Sequence, residues 1–136
     1  MKLYFTFKEL CITNDPIPQE VAQKLMVHHI IPMSGVRQAF GSPITASQRS
    51  GYRNPAWELR HGRNGQSEHC FKGLGAIDWT AQNLDRLQEL IIAQTHYTRI
   101  ARYAGFIHCD YKPNPNGLRI LYSSNAQSQW RVVRTL

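Results

Sequence analysis

No run of roughly 18 apolar residues occurs in this 136-residue chain, so no segment reads as a transmembrane helix. The opening stretch, Met1 to Leu10, lacks the apolar core of a signal peptide, so synthesis in the cytoplasm is the expectation. Cysteine is scarce. Cys11, Cys70 and Cys109 are too few for a disulfide framework, and none forms a CxxC pair. Cys70 and Cys109 read either as small buried filler or as a metal-binding or redox pair. Acidic residues are also few, 9 against 16 Lys and Arg, which leaves a net charge of +7. Such a chain attracts polyanions: nucleic acid, anionic cell-wall polymers or a membrane surface. The basic residues are scattered, with one mild cluster at Arg49, Arg53, Arg60 and Arg63, and no nucleic-acid motif accompanies them. A specific nucleic-acid partner is therefore not expected. Repeats and low-complexity segments are missing as well, which points to one domain over residues 1–136.

What is present is a core-forming set of 42% hydrophobic residues that includes 3 Trp, 6 Tyr and 5 Phe. Residues 18–40 carry Val21, Leu25, Met26, Ile30 and Ile31 near one helical face. Pro32 predicts a break into two helices, and Gly41 a stop. Residues 43–48 suggest a short strand. Residues 54–67 show little periodicity and read as a long loop. A strand over 75–79 leads to a helix reaching about Gln94, with Thr80 as N-cap and Leu84, Leu87 and Ile91 buried. Residues 97–103 and 106–111 alternate like a hairpin around Ala104-Gly105. Pro113 to Gly117 marks a turn, and 118–122 and 130–134 supply the last strands. Helices followed by strands predict an α+β fold, N-terminal helices packed on a small antiparallel sheet.

The chemistry concentrates in two stretches, Ser67 to Asp78 and Phe106 to Asp110. They offer His69, Asp78 and His108, two imidazoles and a carboxylate. Catalytic zinc sites use three such protein ligands and leave the fourth position to water. Asp78 could instead cap the following helix. His28, His29, His61 and His96 read as structural or surface residues, although His61 in its polar loop could reach a substrate. Trp57 and Trp79 read as core packing or cleft lining.

Taken in order, Ser50-Gly51-Tyr52-Arg53, Ser67-Glu68-His69, Gly75-Ala76-Ile77-Asp78 and Phe106-Ile107-His108-Cys109-Asp110 resemble the M15 family of zinc peptidases. The likeness is to its subfamily of D-alanyl-D-alanine carboxypeptidases and phage endolysins. Phe7 to Leu10 and Val36 to Gly41 look like the family's N-terminal helices, so the likeness spans about residues 5–111. It implies a LAS/hedgehog-like fold, a Zn2+ cofactor held by His69, Asp78 and His108, and roles for Tyr52, Ser67 and Arg53 in binding peptide. Arg53 would hold a carboxylate or an oxyanion; its alternative is a surface ion pair. Two departures stand out. Eight residues separate His69 from Asp78 where the family usually has six, so the extra pair must bulge out. Gly105 occupies the position three before the last His, where many members carry an acid. Asp110 is then the first candidate for the catalytic base, or else a carboxylate that orients His108; Glu68 and Glu58 follow.

The resemblance implies hydrolysis of peptidoglycan stem peptides, by a monomeric phage endolysin or virion-associated enzyme that acts on the wall after release. A zinc-loaded but inert tail or baseplate protein, and a nucleic-acid-binding module favoured only by charge, are the alternatives.

Overall fold

A computed structural model describes residues 1–13, 15–47, 50–124 and 129–136. Helix α1 (Gln19–Leu25) runs through one wide π turn (Met26–Ile30) into α2 (Ile31–Phe40). Pro32 does not break this rod. Proline has no N–H for the carbonyl four residues earlier, which here belongs to His28. The π turn absorbs the mismatch, and the Tyr111 hydroxyl donates to the His28 carbonyl at 2.7 Å. Gly41 ends α2 in the left-handed conformation at φ 77°.

Strand β1 (Thr45–Ala46) is shorter than expected, and Gln48, like Arg49, lies outside the described residues. The expected loop after Arg53 contains helix α3 (Pro55–Arg60). Asn54 caps it by accepting from the Ala56 N–H, and Pro55 fits its first turn. Three short 3-10 turns aside, the remaining described elements are β2 (Ala76–Thr80), α4 (Leu84–Gln94), β3 (Arg99–Arg102), β4 (Ile107–Asp110), β5 (Ile120–Ser124) and β6 (Trp130–Thr135). Asn83, not Thr80, caps α4, by accepting from the Arg86 N–H. Thr80 stays in its strand and donates to the Gly105 carbonyl at 2.8 Å.

The six strands form one sheet in the order β1-β2-β4-β3-β5-β6. It is mixed rather than antiparallel, because β3 and β5 run parallel. The crossover is short. Asn114 holds it by donating to the Thr98 and Leu118 carbonyls. The Arg119 guanidinium donates to the carbonyls of Ile92, Thr95 and Tyr97, which caps the end of α4. Ile77, Trp79, Ile107, Cys109 and Ile100 point to the buried core with Leu87 and Ile91 of α4 and Met33 and Val36 of α2. Strand alternation turns Asp78, His108, Asp110 and Arg99 to the other face.

Candidate metal centre

Register decides the site. Asp78 on β2 lies directly opposite His108 on β4, and His69 arrives on a single 3-10 turn, Glu68–Cys70. His69, Asp78 and His108 can each offer one ligand atom, all within 4.8 Å of one another. His108 Nδ1 is 2.8 Å from Asp78 Oδ1, and His69 Nε2 is 3.5 Å from the same oxygen. The remote ring nitrogens are occupied. His69 Nδ1 is 3.0 Å from the Gly51 carbonyl, so it carries the proton and leaves Nε2 to the cluster. His108 Nε2 is 2.7 Å from Asp110 Oδ2, so Nδ1 faces inward. Two imidazoles with outer partners and one carboxylate suit zinc in both donor type and orientation.

The Ser50–Arg53 segment holds this arrangement in place. Ser50 Oγ accepts from the Asp78 N–H and donates to the Asp78 carbonyl at 3.0 Å. Gly51 sits at φ 84°, and a Cβ there would collide with the Leu10 carbonyl. Its own carbonyl sets the His69 tautomer. The Arg53 N–H donates to the His69 carbonyl at 2.8 Å. Ser67 accepts from the His69 N–H. Between His69 and Asp78, Lys72-Gly73-Leu74 form an exposed turn. Lys24 tethers its start through the Phe71 carbonyl at 3.0 Å, and His29 Nε2 holds its end through the Leu74 carbonyl at 2.8 Å.

Electrostatics separate the groups. Burial would raise the Asp78 carboxyl, but hydrogen bonds from His108 and His69 outweigh it and hold the group far below the usual range. Burial would lower His108, but Asp110 and Asp78 raise it to about 9. Asp110 is itself held down to about 2, its burial offset by His108 and Arg99.

A cleft of about 530 Å³ opens over the cluster, lined by Arg53, Ser67, His69, Asp78 and His108 among others. Asp110 shares the face of His108 but is fully buried and does not line the cleft. Its oxygens accept from His108, from the Arg99 guanidinium at 2.8 Å and from the Lys112 N–H at 2.9 Å. Tyr52 also lies outside the lining; its ring is buried edge-on to Phe71. Glu58 is buried outside the lining, 3.6 Å from Arg53 and 3.4 Å from Arg63. Trp79 is core, and Trp57 stacks on His61 at the end of α3. Neither reaches the cleft. Cys70 and Cys109 are free, buried thiols outside the ligand cluster, and burial raises both. Phe106, which opens the His108 motif, also lines the cleft, as do Arg99, Tyr103 and Trp130, residues not singled out from sequence. Only the β3-β5-β6 order brings Trp130 there, and no local pattern encodes that.

The family model for Peptidase M15 matches residues 3–110. The chain belongs to the Peptidase M15 family. M15 peptidases are zinc-dependent, and His69, Asp78 and His108 form the cluster that can hold the ion here. No curated protein and no solved structure matches this M15 chain. Among the described residues, no helix is long and apolar enough to cross a membrane.

Proposed function

We propose that this protein hydrolyses peptide bonds in peptidoglycan stem peptides, as a D,D-type peptidase with a LAS/hedgehog-like fold and a phage endolysin or virion role. The observation that carries the reading is the convergence of His69 Nε2, Asp78 Oδ1 and His108 Nδ1 beneath an open cleft that Arg53 also lines. Zinc bound there supplies Lewis acidity to a carbonyl and a water nucleophile near neutral pH. The chain supplies the rest. Arg53 holds a substrate carboxylate or the developing oxyanion. Asp110, occupied by Arg99, keeps the His108 ring in its ligating orientation. Among the described residues, Glu68 is the cleft-lining carboxylate besides Asp78. We assign it the proton taken from water and returned to the leaving amine. The net positive charge supports loose adhesion to anionic wall polymers.

The test is mass spectrometry of purified muropeptides after digestion with zinc-loaded protein, with His108→Ala as control. Loss of a D-residue or of a cross-link, absent from the control, is the expected result. Gly105 and the engagement of Asp110 favour a second reading, an inert zinc-binding phage structural protein of the same fold. A zinc-replete protein that leaves every muropeptide intact supports that one instead.

A further inference from the structure

The cleft has two unlike sides. Arg53, Ser67 and Glu68 reach it from the segments that pack beside β2. Tyr103 follows β3, Phe106 precedes β4 and Trp130 begins β6, so they reach it from beyond the metal cluster. Tyr103 and Phe106 stack at 4.4 Å with 13° between planes. Trp130 is fixed from several directions. Its Nε1–H donates to the Tyr103 hydroxyl at 2.9 Å. Its ring lies 5.4 Å from His108 and 5.1 Å from Tyr122, and the Arg99 guanidinium sits over it at 4.5 Å. A tryptophan pinned this way presents a rigid apolar surface at little entropic cost. It also comes from the hairpin beyond residue 110, outside the part of the chain that matches the family.

We infer that Trp130, with Tyr103 and Phe106, forms a specificity subsite for an aliphatic side chain of the substrate, next to the amide that is cut. The inference rests on the peptidase reading. Polar or charged parts of the peptide face Arg53 and Glu68, while the aliphatic group loses water against the aromatic wall. A few buried methyl or methylene groups in such a pocket discriminate by roughly 10- to 200-fold.

The experiment compares synthetic stem-type peptides that carry D-alanine, D-valine or glycine beside the scissile amide. Wild-type protein is expected to favour the aliphatic peptides by about 10-fold or more in kcat/KM. Trp130→Ala should reduce that ratio below about 3-fold, and Trp130→Phe should restore most of it. Zinc content is measured in parallel. A ratio unmoved by Trp130→Ala overturns the proposal. So does loss of zinc, which would make Trp130 only a prop for His108. If no peptide is cut by wild type, the peptidase reading fails, and equilibrium binding of the same peptides to zinc-loaded protein decides the subsite alone. Tighter binding of the aliphatic peptides that disappears in Trp130→Ala supports it; equal binding of all three overturns it.

Discussion

His29 is buried and His108 largely so, and both are hydrogen-bonded at each ring nitrogen, yet they are pushed in opposite directions. His29 is lowered to about 3, mainly by burial, which the Leu74 carbonyl only partly offsets. His108 is raised to about 9 despite burial, because its ring lies between Asp110 and Asp78. Desolvation alone disfavours imidazolium in both places. The partners make the difference. A carbonyl and the Tyr97 phenol at 2.7 Å fix His29 as a neutral prop, with Nε2–H donating to Leu74 and Nδ1 accepting from Tyr97. Two carboxylates make His108 basic, so a metal bound there would have to displace its proton.

The sharpest way to break this contrast is to remove the ligand. His108→Ala, like His69→Ala, is expected to lose zinc and at least ~1,000-fold in hydrolysis, read by elemental analysis and turnover. Acid tests the other histidine. Its folded pKa lies below the unfolded value of 6.5, so the unfolded chain takes the proton first. The stability it confers is complete above pH 6.5 and fades as pH falls toward 3, by on the order of 5 kcal/mol. His29→Gln should flatten that limb of the urea-unfolding profile and retain zinc.

Smaller effects sharpen the picture around His108. Zinc affinity should rise with pH up to about 9, since the raised pKa makes a proton compete for the ring, and chelator competition would show the slope. Asp110→Asn should weaken zinc binding by about 10- to 100-fold and reduce the pH slope. Full affinity in that variant removes Asp110 from its orienting role. The smallest effect belongs to Tyr97→Phe, expected to cost about 1 kcal/mol in stability and leave zinc affinity unchanged.

The metal cluster is legible in the sequence because its residues sit in short motifs whose local geometry is self-contained. Strand alternation alone places His108 and Asp110 on one face, and Ser50, Gly51 and Arg53 act within a few residues of one another. What cannot be read there depends on distant chain or on small cues. Alternation shows that Asp110 faces the site side but not that Arg99 already occupies it. The 97–103 and 118–122 runs look the same in either direction, so the parallel β3–β5 pairing, and with it Trp130, stays hidden. Helix α3 is too short for apolar periodicity, and its signal is the Asn54-Pro55 start. Pro32 suggests a break because the hydroxyl that satisfies the His28 carbonyl comes from Tyr111, 83 residues away.

The tethered turn at Lys72-Gly73-Leu74 has an evolutionary consequence. Lys24 grips the chain just before it and His29 grips it at its last residue, and both come from the helical rod. The three residues of the turn are solvent-exposed. Insertions or deletions there change an outward loop at small entropic cost, while His69 and Asp78 stay anchored by Gly51 and Ser50. Spacing between His69 and Asp78 can thus change without moving either side chain off the cluster.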